Sequence, residues 1–400
     1  MADKPRLPGF TRRRPAPGGD AEIPGFEGVR LTVEEAEDSL AGAADRLALP
    51  RSVFASDSFN ILAISGGAAG GAFGAGVLVG LTKAAARPDF AIVTGVSTGA
   101  LIAPFAFLGS EWDDRLTDAY TGGHAARLLS LTRLSPPIGG GGLFRSDALE
   151  ALIDPFVDEA LVAAVAAEHA RGRRLLVATT DLDSQQLCIW DMGEIASRGG
   201  AAAVTLFRDV LVASASLPGL FPPRRFHCRL DGKDYEEMHV DGGVAAPLFL
   251  MPAALLRWRG VARRLRRGQV YAIVNTVLES SPQTTPPNMP AILGRTFDTL
   301  LRYSYRQALG VVSTFCAAHR LPLSVASIEA VEPPVSMLSF ETRQMRRTFD
   351  DAVERAQAGR IWSTPVPAKT PPANPFGFLN GLEAYFPGGA APGKGPSGAS

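Results

Sequence analysis

The chain has 400 residues, 46% hydrophobic and 20% charged, a balance that supports a globular protein with a sizeable core and excludes an extended polyelectrolyte. Lysine plus arginine and aspartate plus glutamate both number 40, so no net field draws in nucleic acid, and the arginine clusters at 12–14 and 263–267 read as solvated surface. Three scattered cysteines, Cys188, Cys228 and Cys316, have no C-x-x-C spacing; they argue against a disulfide framework or a zinc site and fit a reducing compartment.

Residues 1 to about 28, with Pro5, Pro8, Pro15 and Pro17, read as a flexible tail. No apolar segment follows Arg12–Arg14, as a leader would require, and no run of about 18 apolar residues occurs. The expected location is therefore cytoplasmic or on a membrane surface. Val33 to Leu47 carries apolar residues at helical spacing and is expected to pack outside the main domain. The expected organisation is a tail and packing helix over 1–57, a catalytic domain over 58–250, a strand and helical extension over 251–362, and a disordered Pro/Gly-rich tail over 363–400.

The richest stretch follows. Ile61–Ile64 is a short apolar strand, succeeded by Ser65-Gly66-Gly67-Ala68-Ala69-Gly70-Gly71 and a helix over Ala72 to Leu81. Phe90–Val93 predicts a second strand, running into Gly95-Val96-Ser97-Thr98-Gly99 and a helix opening at Ala100. A strand ending in G-x-S-x-G before a helix is the context of a nucleophile elbow, which makes Ser97 the candidate nucleophile. Gly95 and Gly99 leave room for the turn, and the helix N-terminus behind Ser97 favours negative charge there. The bare N–H groups of Gly66, Gly67 and Ala68 suit an oxyanion hole.

Beyond the elbow, Trp112 to Leu131 reads as helical, and Gly139–Gly142 as a flexible loop or lid, since it lacks the Gly-Lys-Ser/Thr ending of a phosphate loop. Ser146 or Asp147 is placed to cap a helix leading to Ile153. Arg174 to Thr180 and Gln186 to Met192 predict paired strands around a turn containing Asp181 and Asp183, carboxylates read as turn residues in preference to a cation site. Val210 to Ser216 ends a helix before a proline-rich corner. Glu236 to Val240 leads into Asp241-Gly242-Gly243, where an aspartate in a tight glycine turn faces either solvent or a cleft. Gln269 to Thr276 predicts a further strand, Ser280 to Pro290 a loop, Ile292 to His319 a long helix and Glu341 to Gln357 a terminal one.

A serine hydroxyl needs a base. Of His124, His169, His227, His239 and His319, only His319 follows Asp241 in the order Ser, acid, His, and it reads as a surface residue at a helix end. The Gly-rich turn, Gly95-Val96-Ser97-Thr98-Gly99 and Asp241-Gly242-Gly243 together resemble the patatin-like phospholipase family. So do Ala178-Thr179-Thr180-Asp181-Leu182-Asp183 and the segment Ala213 to Pro223. The resemblance covers about residues 58 to 250. It implies an α/β fold of three layers, with a central, mostly parallel sheet flanked by helices, and a Ser–Asp dyad acting on lipid acyl esters without histidine, metal or cofactor. On it, Ser97 is the nucleophile, Asp241 the general base, and Gly66, Gly67 and Ala68 the oxyanion donors. The chain departs from the family pattern at Ala68, where a third glycine is usual, and at Gly70, where a basic residue is usual.

The leading expectation is a hydrolase of phospholipid or lysophospholipid, with a lipid substrate and no nucleic-acid partner. An acyltransferase or thioesterase would use the same dyad, and a non-catalytic lipid-binding protein would keep the fold. A dinucleotide-binding oxidoreductase is the third class, with Asp89 as its ribose-binding acid, but it leaves Ser97 and Asp241 without a role.

Overall fold

The computed structural model describes residues 21–32, 60–127, 144, 147–250, 268–279, 282, 284–330 and 339–364. The elements in chain order begin with β1 (Arg30–Thr32), β2 (Asn60–Ile64), α1 (Gly71–Lys83), β3 (Ile92–Val96), α2 (Thr98–Leu108) and α3 (Asp113–Thr121). Next come α4 (Ala148–Ile153), α5 (Glu159–Ala170), β4 (Arg174–Asp181), β5 (Gln186–Asp191), α6 (Met192–Ser197) and α7 (Gly200–Ala215). They close with β6 (Arg224–Leu230), β7 (Lys233–Asp241), β8 (Gln269–Val277), α8 (Met289–His319), β9 (Leu323–Ile328) and α9 (Thr342–Gln357).

The strands form one nine-stranded sheet in the order β1-β5-β4-β3-β2-β8-β9, with the β6–β7 hairpin branching from β4. The run β4-β3-β2-β8-β9 is parallel, and β1, β5, β6 and β7 pair antiparallel. Strands covered on both faces must be apolar throughout, which is why β2 and β3 read as unbroken apolar runs. Alternate residues enter two cores. Leu62, Ile64, Val93 and Val177 pack with helices α1, α2, α7 and α9, whereas Ile61, Ala63, Ile92 and Val96 pack with α8. The result is three layers, helix on sheet on helix, as the sequence predicts.

The topology at β4 positions the site. β5 occupies one edge of β4 through residues 176–181. The other edge is shared: β3 pairs with Arg174–Ala178 and stops, and β7 arrives antiparallel against Thr179–Asp181. The C-terminal ends of β3 and β7 therefore meet head to head.

Three differences from the sequence reading have physical causes. The ladder of β3 begins at Ile92 and continues through Gly95 and Val96, so the glycine motif itself supplies the strand's last residues. Helix α3 ends at Thr121, interrupted by Gly122 and a Gly123 with φ 79°, and helix resumes over 124–127, the last described residues of the stretch. Residues 21–29 are no tail: Ala21, Ile23, Phe26 and Val29 are buried, and β1 adds to the sheet edge at β5. Arg30 seals this addition through a buried pair with Glu237 on β7, Nη2 standing 3.0 Å from Oε1. The expected helix over 33–47, the glycine run 139–142 and the tail from 365 onward lie outside the described residues. Asp147 takes the N-cap position of α4.

Helix α9 buries Met345, Phe349, Ala352, Val353 and Ala356, one face at helical spacing, against α1. The two backbones approach closely because α1 has no side chain there. A Cβ on Gly76 would stand 2.3 Å from the Phe349 carbonyl, and one on Gly80 2.8 Å from that of Val353. Gly80→Leu is expected to destabilise the protein by about 2 kcal/mol or more, read as a lower urea midpoint at unchanged slope. An unchanged midpoint would mean that α9 is not held against α1 in solution.

Candidate active site

β3 ends at Val96, α2 starts at Thr98, and Ser97 makes the turn between them with φ 56° and ψ −127°. Positive φ is uncommon for a residue with a Cβ, and the surrounding structure holds it. The Ser97 N–H donates to Ser214 Oγ at 3.0 Å, and the Ser214 hydroxyl donates to the Ala178 carbonyl at 2.7 Å. The flanking glycines are required by space. A Cβ on Gly95 would stand 2.5 Å from the Gly99 carbonyl oxygen, and one on Gly99 2.4 Å from that of Ile64. Thr98 closes the turn from behind through Tyr120, whose hydroxyl lies 2.8 Å from Thr98 Oγ1 and donates to the Thr98 carbonyl at 3.0 Å.

Asp241 ends β7 in register with Thr179 of β4, one residue beyond Ala178, the partner of Val96. Its backbone is fixed on both sides. Its N–H donates to the Ser216 carbonyl at 3.0 Å, and its own carbonyl accepts from Thr180 Oγ1 at 3.0 Å. Gly242 passes so close to β4 that a Cβ would stand 2.4 Å from the Ala178 carbonyl oxygen. The side chain is 3% exposed. Burial pushes its carboxyl up to about 6, against the opposing effects of the nearby Ser97 side chain and of a hydrogen bond from the Gly243 N–H at 2.7 Å. Ser97 and Asp241, 144 positions apart in sequence, are thus neighbours.

The glycine-rich turn between β2 and α1 lies alongside, and it corrects one expectation. The Gly66 N–H is spent on the Pro247 carbonyl at 3.1 Å, and that of Ser65 on Ile273 at 2.9 Å. The three expected oxyanion donors narrow to Gly67 and Ala68, which have no backbone acceptor among the described residues. Gly67 sits at φ 147°, and Ala68 at φ 48°, where its Cβ is strained. The turn is held by Asn275 of β8, which sequence reading passed over. Its Nδ2 donates to the Ser65 carbonyl at 2.8 Å, its N–H to Ser65 Oγ at 2.9 Å, and its Oδ1 accepts from the Gly74 N–H at 3.0 Å. The Asn275 carbonyl oxygen would lie only 2.1 Å from a Cβ on either Gly67 or Gly70. Gly70 therefore has no room for the basic residue usual in the resembling family. The signal for Asn275 was an amide in an otherwise apolar strand, and that for Ser214 a hydroxyl in a helix of small residues.

Ser97, Asp241, Gly67 and Ala68 line a cavity of about 1470 Å³ whose walls are mainly apolar, with Phe73, Leu149, Phe221 and Phe297 among them. No histidine lines it among the described residues. His239 is buried in β7, 2.8 Å from Thr179 Oγ1 and 3.1 Å from Glu237 Oε2, and His319 is exposed at the end of α8. Asp181 is the last residue of β4 and braces the turn after it, accepting from Asp183 N–H at 3.0 Å and Ser184 Oγ at 2.6 Å. Among the described residues no three His, Cys, Asp or Glu side chains are grouped to hold a metal ion.

Residues 62–254 match the family model described as Patatin-like phospholipase. Among solved structures, the chain is similar to VipD from Legionella pneumophila, at 12% identity and a TM-score of 0.37, over 90% of this chain and 72% of that one. It is also similar to human GIVD cytosolic phospholipase A2, at 13% identity and a TM-score of 0.35, over 80% of this chain and 53% of that one. None of the curated proteins compared matches it.

The raised carboxyl has a consequence for stability. An acid with a folded pKa of about 6 and an unfolded one of about 3.9 binds its proton more tightly when folded, so stability falls as pH climbs through that window and is level above it. Asp241→Asn removes the buried charge. Its thermal midpoint is expected to exceed that of the wild type at pH 8, with the difference closing towards pH 4. Equal midpoints at both pH values would show that the carboxylate is not desolvated.

Proposed function

Residues 62–254 are a patatin-like phospholipase domain, and on that premise we propose that the chain is a serine acyl hydrolase cleaving lipid acyl esters, phospholipid or lysophospholipid, through a Ser97–Asp241 dyad. The match to that family supports a lipid hydrolase. The observation that carries the finer reading is the nearness of the Ser97 side chain to a buried carboxyl raised to about 6, in a cavity with mainly apolar walls.

Asp241 takes the proton of the Ser97 hydroxyl as Oγ attacks the ester carbonyl carbon. A carboxylate near pKa 6 is a stronger base than an ordinary one and is still ionised at neutral pH. The carbonyl oxygen gains the negative charge and is stabilised by the N–H groups of Gly67 and Ala68 and by the N-terminus of α2. Collapse of the tetrahedral intermediate breaks the C–O bond to the leaving alcohol, which receives the proton from Asp241. Water then gives a proton to Asp241 and attacks the acyl-enzyme, and the proton returns to Ser97 Oγ as the fatty acid leaves. The apolar wall accommodates the acyl chain.

Helix α8 supports contact with a lipid surface. Gly294, Phe297, Leu300, Leu301 and Tyr305 line the cavity, while Met289, Leu293 and Val311 are exposed along a neighbouring stripe. Apolar area of this kind beside a cavity entrance shortens the path of an acyl chain out of a bilayer.

Hydrolysis of a short and a long p-nitrophenyl ester tests the dyad. Ser97→Ala is expected to lose turnover to background and Asp241→Asn to lose roughly 10³-fold or more; Ser97→Ala with full turnover would sink the proposal. In the wild type, kcat/KM is expected to rise with pH to about 6 and to level off above it, because the base works only when ionised. For the lipid surface, a Met289→Ser/Leu293→Ser double variant is expected to bind phosphatidylcholine vesicles several-fold more weakly while hydrolysing the short soluble ester at the wild-type rate. Unchanged vesicle binding would remove α8 from that role.

A further inference from the structure

Helix α8 lies outside the matched residues 62–254, yet it brings a polar group to the site. Tyr305 is 4% exposed and is the first buried residue of α8 among those described. Its ring belongs to the α8 core layer, and the residue lines the cavity that contains Ser97 and Asp241. The position of the hydroxyl is fixed by Gly66. A Cβ built on Gly66 would stand 2.9 Å from Tyr305 Oη, 3.2 Å from Ser97 Cβ and 3.8 Å from Ser97 Oγ. The missing side chain of Gly66 thus leaves a small space bounded by the phenol on one side and the serine on the other.

Two facts make that hydroxyl unusual. It is not tied up in a hydrogen bond to another described residue, and its side chain lines the cavity, where a bound group can reach it. It also lies beside Gly66, whose own N–H is tied to Pro247. Burial and the nearby Asp241 carboxylate both push its pKa up, so at working pH the phenol stays protonated and can only offer a proton in a hydrogen bond to an anionic oxygen.

We propose that Tyr305 is a further catalytic residue, donating a hydrogen bond from its hydroxyl to the ester oxygen that becomes the oxyanion at Ser97. The role rests on Ser97 being the nucleophile. Tyr305 completes with a side-chain O–H the set of donors that Gly67 and Ala68 begin with backbone N–H groups. A donor realised only as charge develops lowers the barrier without tightening ground-state binding. The oxyanion forms in acylation and again in deacylation, so both steps should depend on it.

The test is Tyr305→Phe, which removes only the hydroxyl, measured with p-nitrophenyl butyrate under burst conditions that separate acylation from deacylation. The expected result is a fall of about 10²-fold in both rate constants, with KM within about three-fold of the wild type. A thermal midpoint equal to or above that of the wild type is also expected, since no existing hydrogen bond is lost. Rates within about three-fold of the wild type would overturn the role. So would a fall confined to acylation, which would place the hydroxyl on the leaving group, or a lowered midpoint, which would make it structural. Ser97→Ala run alongside separates the two claims. Turnover surviving in Ser97→Ala sinks the nucleophile itself, whereas turnover lost there but intact in Tyr305→Phe overturns only Tyr305.

Discussion

The site depends on one strand having a free edge long enough for two neighbours. β4 is paired by β3 up to Ala178 and by β7 from Thr179 onward. Two strands arriving from opposite directions on one edge must stop where they meet, and Ser97 and Asp241 stand at that point. Hydrogen-bond register, with a repeat of a few ångströms, therefore sets the Ser97–Asp241 geometry more tightly than a loop would. A slip of one residue in β7 would turn Asp241 to the other face of the sheet.

Around this junction the structure exchanges side chains for backbone approach. Gly95, Gly99 and Gly242 each lie within van der Waals contact of a neighbouring main chain, so the strained turn at Ser97 is surrounded by peptide groups with almost no freedom to relax. Such a residue is held at a cost of about 1–3 kcal/mol, and the Ser97–Ser214–Ala178 hydrogen bonds are among those that hold it. Asn275 does the same for the glycine-rich turn, using its amide and main chain in three hydrogen bonds. Both supports are neutral and buried, so neither brings a charge to Asp241. Its pKa is consequently governed by burial, not by a competing charge.

The parts legible in the sequence were those whose cause is local. The apolar runs of β2 and β3 follow from burial on both faces, and Gly95 and Gly99 announce themselves because no other residue fits. Asp241 was ambiguous by itself, since an aspartate before two glycines is common in solvated turns; only the family resemblance singled it out. What could not be read was set by pairing across the fold. β1 follows a stretch read as a proline-rich tail and has no signal of its own until Arg30 finds Glu237 more than two hundred residues away. β9 is a short strand made by its neighbour β8. The capture of the Gly66 N–H by Pro247 has no local signature, because it depends on where the chain after Asp241 returns. Tyr305 was visible only as one apolar position in a helical stripe.

The length of α8 has a mechanical side. No described residue before Tyr305 is buried, whereas Tyr305, Val312, Phe315 and Cys316 anchor the remainder to the sheet. Residues 289–304 span about 24 Å at the rise of an α-helix, and their inner face walls the cavity, with Leu301 packed on the core and Arg302 bonded to the Glu279 carbonyl. One helix therefore carries both the cavity wall and the phenol beside Ser97, so a shift of that wall along the helix axis is a shift of the phenol as well.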